Sequence, residues 1–417
     1  MFCLVLLCAV LASEHPAVTF NQMRQDSRQS FREGNLTEFL STTQKLHQLQ
    51  PGHVPTLYNL AMVHALLGNH QGSVAALDQI GDMGLIVSLP ENEGNLATRN
   101  SPEYVQYLKR SVALSKPMGH AELAFSLVEP DFFPEGIVYD SRSKAWFIGS
   151  VHQCKIIRRS ETGNLTTFVE EGRDGLHSVL GMTVDQQRRL LWATSSGLPQ
   201  SRNIDNANLD TAALFCFNLD TGVTIARYPL MGSGHNLGDV TLNKAGDVFA
   251  TDNKDGHIYR LVNSQLVSFV TSPWLVSPQG LTFSADEKLL YVASYTYGLL
   301  VVDMDTHEVH QLKSSSPYAI TGTDGLLRYG NRLIGIQNAY KPHRVISWQL
   351  SEDGRKITDS KILLSQQPSF DEPTLGALVG NTYYLVANSQ WGKYDKANKP
   401  LAQDKLKAPQ ILRLKLD

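Results

Sequence analysis

Glu135-Gly136-Ile137-Val138-Tyr139, Gln279-Gly280-Leu281-Thr282-Phe283 and Asp324-Gly325-Leu326-Leu327 are three copies of one phrase: a polar residue, a glycine, then a hydrophobic strand. Weaker copies begin at Leu180-Gly181, Gly238-Asp239 and Leu375-Gly376. The six starts (135, 180, 238, 279, 324 and 375) are 45, 58, 41, 45 and 51 residues apart, in or near the range of propeller blades. Each copy runs through a turn into a second strand rich in aromatic and β-branched residues. These are Trp146-Phe147-Ile148, Leu191-Trp192-Ala193, Val248-Phe249-Ala250, Leu290-Tyr291-Val292, Leu333-Ile334-Gly335 and Tyr384-Leu385-Val386. Six such repeats predict an all-β six-bladed β-propeller over residues 119–417.

A ring needs a last blade built from both ends of its domain, because a free sheet edge invites aggregation. Two strands are available for it: Glu122 to Glu129, before the first blade, and Gln410 to Leu416. Turn residues fall where hairpins need them, at Ser141-Arg142-Ser143, Lys244-Ala245-Gly246-Asp247, Ala285-Asp286-Glu287 and Gly330-Asn331.

Upstream, over residues 14–118, the hydrophobic period changes from two to that of a helix. Gly34-Asn35 recurs 34 residues later as Gly68-Asn69, and Phe39, Thr43 and Leu46 map onto Ser73, Leu77 and Ile80 at the same offset. Pro51 stands between the two units, where it stops a helix. Period, turn glycine and proline resemble the tetratricopeptide repeat, in degenerate form because the large aromatic expected near Leu57 is absent. Ser101 to Leu114 supplies a further helix. Such a segment serves either as a docking surface for a protein or peptide or as a structural cap on the propeller. The small concave face of barely two repeats favours the cap.

At 417 residues the chain suits two core-forming parts. Its net charge of −3 and lack of any basic run exclude the electrostatic footprint of a nucleic-acid binder. Residues 1–13 open with an apolar run too short to span a bilayer, and read as a secretory signal without its usual basic start. The expectation is export to a periplasmic or extracellular location, with no membrane span once the signal is removed. Removal leaves Cys154 and Cys216, read as free buried thiols. No nucleophile elbow, phosphate loop, dinucleotide fingerprint or HExxH motif is present, which disfavours a serine hydrolase, a kinase and a Rossmann oxidoreductase.

In a propeller the starts of the innermost strands converge on one mouth of the central channel. Here they supply Glu135, Gln279 and Asp324, with Asp239 one place later and Thr374 one place earlier in their blades. Carboxylates facing one point repel unless a cation lies between them, and an oxygen-only donor set suits Ca²⁺ better than Mg²⁺ or Mn²⁺. His152, His177 and His235 fall near loop ends expected on the same face. The polar pairs after the second strands, Ser195-Ser196, Asp252-Asn253, Gln337-Asn338 and Asn388-Ser389, are expected at the opposite mouth.

The motifs at Glu135-Gly136, Gln279-Gly280-Leu281 and Asp324-Gly325-Leu326 resemble those of the senescence marker protein/gluconolactonase (regucalcin-like) family. The resemblance implies a divalent metal held by Glu135, Gln279 and Asp324, with Asp239 nearby, polarising a small lactone or ester for attack by water. Asp324 would double as the base. Gln279 stands where the family has asparagine, one methylene longer. The segment where the family places a substrate-binding arginine and asparagine reads His235-Asn236-Leu237-Gly238-Asp239, and neither family residue is in register; His235 and Asn236 are the residues available there. The competing expectation is a non-catalytic scaffold whose metal is structural or missing.

Overall fold

In the computed structural model, residues 15–417 are described; the signal expected at 1–13 lies outside them. Six helices precede the first strand: α1 (Pro16–Arg32), α2 (Leu36–Leu49), α3 (Val54–Leu66), α4 (His70–Asp82), α5 (Glu93–Arg99) and α6 (Pro102–Leu114). The recurrent glycine-asparagine pair sits at the turns of two helical hairpins. Gly34 and Gly68 both adopt φ +74°, a left-handed backbone that glycine enters without strain. Asn35 and Asn69 then cap α2 and α4, their side-chain oxygens accepting from the amides of Glu38 and Gly72. α5 was not foreseen; it is a short connector capped by Asn92.

Six sheets follow, antiparallel from the inner strand outward except that Lys313–Ser314 adds a short parallel strand at the outer edge of blade 5. The innermost strands of blades 1 to 6 are Pro134–Asp140, Ser178–Asp185, Leu237–Leu242, Pro278–Phe283, Thr323–Tyr329 and Gly376–Val379. Blade 6 closes the ring as the need for a sealed edge demands: Glu122–Ser126 pairs antiparallel with Gln410–Lys415 and forms its outermost strand. The core lies between adjacent blades, where second and third strands contribute residues such as Phe147, Phe215, Leu290 and Trp348, all fully buried.

The repeated phrase has a specific geometry. In blades 1 to 5 the pairing of inner and second strands skips two residues at one level, between Pro134 and Ile137, Val179 and Met182, Leu237 and Val240, Pro278 and Leu281, and Thr323 and Leu326. The skipped residues are the phrase itself: Glu135-Gly136, Leu180-Gly181, Gly238-Asp239, Gln279-Gly280 and Asp324-Gly325. A bulge re-aims side chains. The glycine is required by close approach, since a Cβ on Gly280 would lie 2.5 Å from the Leu326 nitrogen and 2.7 Å from the Asp324 oxygen of the next blade.

The helices pack on the propeller. Phe20 and Leu46 join the core of blades 3 and 4 beside Phe249, Leu281 and Tyr297, and the Tyr297 hydroxyl donates to Asn21 Oδ1 at 2.5 Å. Arg344, fully buried in blade 5, donates from Nη1 to the carbonyls of Met83 and Gly84 at 3.1 and 3.0 Å. Burial pulls its pKa down to about 10. The loops of Tyr297 and Lys341, which touch the helices, also carry Tyr295 and Asn338 at the channel mouth. The helical segment therefore stands beside that mouth. Among the described residues no helix is long and apolar enough to cross a membrane.

Candidate functional site at the channel mouth

The bulges bring Glu135, Asp239, Gln279 and Asp324 to the lining of one cavity of about 230 Å³. Its rim adds Asn236, Asn253, Tyr295, Asn338, Glu372 and Trp391. The other half of the channel, lined by Ile137, Val138, Met182 and Val184 among others, is mostly aliphatic. Of the mouth carboxylates only Asp239 also borders that half; Glu135 and Asp324 do not.

Hydrogen bonds hold Glu135, Asp324 and Gln279. Glu135 Oε2 accepts from the Ser389 hydroxyl and the Trp391 indole, both at 2.9 Å. Asp324 Oδ2 accepts from Asn338 Nδ2 at 2.6 Å, and Asn338 Oδ1 accepts from the Tyr295 hydroxyl at 2.7 Å. Gln279 Oε1 accepts from Asn253 Nδ2 at 3.4 Å, and its Nε2 donates to Ser277 Oγ at 3.0 Å. Thr374 is buried behind this layer, its hydroxyl reaching the Glu135 carbonyl at 3.3 Å.

These contacts correct one expectation. Asn253, Asn338 and Ser389 serve this mouth, not the opposite one. An antiparallel neighbour ends where its partner begins, so the end of a second strand lies beside the start of the inner strand, as the pairings Leu237 with Asp252 and Thr323 with Gln337 show.

Burial and neighbouring charge raise all three carboxyls. Burial, then the charge of Asp324, raises the Glu135 pKa well above the usual carboxylate range despite its two hydrogen bonds. Burial and Asp324 do the same to Asp239. Asp324 itself is pushed up to about 7, by burial and by Glu372 against the Asn338 bond. Such a set favours proton uptake or a cation.

The histidines divide. His152 Nδ1 bonds the Gln200 carbonyl and does not line the cavity; nor does His177, whose backbone amide donates to Ser195. His235 also lies outside the lining, correcting its expected contact with the channel. Its Nδ1 stands 2.8 Å from Asp252 Oδ2 and 3.4 Å from Asp255 Oδ2. His235, Asp252 and Asp255 have ligand atoms within 4.8 Å of one another, a geometry that can hold a divalent cation. They are also bonded among themselves, and Asp252 Oδ1 accepts the backbone amides of Asn236 and Lys254. Asn236 does line the mouth, and its Oδ1 is buried without a hydrogen-bond partner among the described residues. The oxygens of Glu135, Asp239 and Asp324 do not gather within 4.8 Å as a trio. Cys154 and Cys216 are free and buried, as expected.

Fold and site thus define a six-bladed propeller with an acidic, amide-rimmed mouth. No family model matches the chain, and no curated protein matches its sequence. Among solved structures it is similar to a calcium-binding protein, regucalcin, from Agrobacterium tumefaciens, at 14% identity over 71% of this chain and 95% of that one, TM-score 0.49. A gluconolactonase from Xanthomonas campestris matches at 16% identity over 73% and 92%, TM-score 0.48. A catalytically inactive virginiamycin B lyase from Staphylococcus aureus matches at 15% over 72% and 100%, TM-score 0.47.

Proposed function

We propose that this protein is an exported, divalent-metal-binding propeller that hydrolyses a small lactone or ester. The carrying observation is the acidic mouth itself: Glu135 and Asp324 are buried and Asp239 is half-buried in one cavity, Asp324 raises the pKa of both other carboxyls, and the amide of Gln279 lies beside them. Oxygen-only donors of this charge fit Ca²⁺. Glu135, Gln279 and Asp324 would hold the ion, with Asp239 adding charge. The unpartnered Oδ1 of Asn236 supports the fit, since a buried amide oxygen without a donor suits a cation or a substrate hydroxyl. When bound, the ion supplies Lewis acidity toward the substrate carbonyl.

The chain's own groups do the rest. Asn338, fixed by Tyr295, holds one oxygen of Asp324 and leaves the other to take a proton from water. Asn236 orients substrate at the rim, and His235 acts behind it by fixing Asp252, which accepts the Asn236 amide. The aliphatic walls of Leu180, Leu198 and Leu375 exclude water. A cavity of about 230 Å³ is below the roughly 300–1,000 Å³ of drug-sized pockets and suits a small substrate.

A second reading, a non-catalytic scaffold with a satisfied polar plug, draws on the bonds Glu135 and Asp324 already make to Ser389, Trp391 and Asn338. Metal content and melting temperature with and without chelator, on wild type and Glu135→Ala, separate the two. Stoichiometric calcium and a chelator-sensitive Tm, both lost in the variant, support the metal site. Lactone and ester hydrolysis abolished by Asp324→Ala would complete the case; no metal and no chelator effect favours the scaffold.

A further inference from the structure

A second cavity, of about 280 Å³, lies in the helical segment between α1 and α3 with α2 beneath it. Three arginines line it: Arg24, Arg28 and Arg32. Their four-residue spacing places them along one face of α1, about 6 Å apart per step at 1.5 Å rise per residue. None forms an ion pair among the described residues, whereas fourteen other lysines and arginines do so elsewhere in the fold. The acids of α1 do not compensate them. Asp26 and Glu33 accept instead from Gln22 and Gln29, and Asp26 lies about 200° round the helix from Arg28 at about 100° per residue.

Two further observations point to a ligand. His53, 2% exposed, lines the same cavity, and its Nε2 is buried with no partner among the described residues. Arg24 is half-buried beside it; burial first, and Arg28 among other contributors, lowers its pKa. A half-buried guanidinium such as that of Arg24 is costly to keep without a counter-charge, and the exposed Arg28 and Arg32 extend the positive row toward solvent, where an anion can reach it. Between them the groove is apolar, with Phe39, Leu46 and Met62.

We propose that this groove binds an extended acidic segment of a partner protein, its carboxylates on the arginine row and its intervening apolar side chains on Phe31 and Met62. The row is the argument for a chain over a lone anion. It extends about 12 Å, and acids at alternate positions of an extended strand recur about every 6.6 Å, close to the arginine step. The inference is independent of the channel and of any hydrolysis there.

The test is fluorescence polarisation on the full chain with a labelled octapeptide of alternating leucine and glutamate. Its leucine-glutamine counterpart and inorganic phosphate serve as comparisons. Binding of the acidic peptide that weakens with salt, and that falls at least tenfold in Arg28→Glu/Arg32→Glu, is expected. Both arginines are exposed, so unchanged circular dichroism should accompany the loss; if the double reversal misfolds, Arg28→Ala and Arg32→Ala singly carry the same test. No binding, equal binding of the glutamine peptide, or affinity unchanged in the variants overturns the proposal. Competition by phosphate at its own concentration as effective as by unlabelled peptide would also overturn it, in favour of a small-anion site.

Discussion

Asn338 Nδ2 stands 2.6 Å from Asp324 Oδ2. One residue ends a second strand and the other begins the neighbouring inner strand, so the bond joins the two elements that build the mouth. A carboxylate held in this way has one oxygen committed to orientation and one left for chemistry. Outer contacts of this kind tune metal ligands as strongly as ligand identity does. Asn338→Ala is therefore expected to weaken calcium binding by about 10- to 100-fold while preserving the fold. Calorimetric titration with Ca²⁺ measures it, and unchanged affinity would detach Asp324 from the metal.

Blades 1 and 2 are tied by a fork. Arg189 donates to both oxygens of Asp140 at 2.7 Å, and Asp140 is fully buried. Burial alone would raise the Asp140 pKa; the fork, Ser143 and two backbone amides outweigh it and hold the carboxyl well below its ordinary value. Arg189→Ala leaves that charge unpaired, at a cost of about 3–5 kcal/mol. A large drop in denaturant midpoint is expected, and a shift of a few tenths of a kcal/mol would show that the ring tolerates the loss.

Two buried histidines work against the fold in acid well above the pH at which Asp140 protonates. Burial, aided by Arg24, lowers the His53 pKa to about 3, and burial, aided by Lys341, lowers that of His343 to about 4. Unfolded, both titrate near 6.5. A base with a depressed folded pKa contributes its stability above the unfolded value and loses it as pH falls toward the folded one. At pH 5 each costs about 2 kcal/mol, from about 1.4 kcal/mol per pH unit below 6.5. The raised carboxylates of Glu135, Asp239 and Asp324 act in the opposite sense, gaining stability as pH falls, so the histidine contribution is read as a difference: between pH 7 and pH 5 the Tm of His343→Gln should drop less, or rise more, than that of the wild type, and identical profiles would remove His343 from the balance.

Gly280→Ala tests the bulge. The new methyl would meet main-chain atoms of blade 5 at 2.5 and 2.7 Å, which no rotamer relieves. Overpacking of this sort costs about 1–3 kcal/mol, and the displaced inner strand should also weaken metal binding through Gln279. Wild-type stability in this variant would mean the blades can separate freely.

The fold was legible because the repeat is written in the residues that make it. Each polar-glycine pair is a bulge, and bulges recur at blade spacing. The mouth was half legible. Glu135, Gln279, Asp324 and Asp239 were found because inner-strand starts converge, whereas Asn338, Asn253 and Ser389 were assigned to the wrong end. The missing step was strand direction, since hairpin partners share ends. Trp391 and Tyr295 lie in loops with no periodic signature, and only the assembled ring brings them to the acids. The arginine row was readable as three residues at helical spacing, but its lack of counter-charges is a property of packing.

The seam of blade 6 sets an order of events during synthesis. Glu122–Ser126 must wait for Gln410–Lys415, which the ribosome adds 284 residues later (410 − 126). At about 5–20 residues per second this delay is on the order of tens of seconds. For that interval the nascent chain carries an unpaired strand next to finished helices, and five blades form an open arc. The helical hairpins, whose contacts are local, can fold early and lie immediately upstream of the waiting strand.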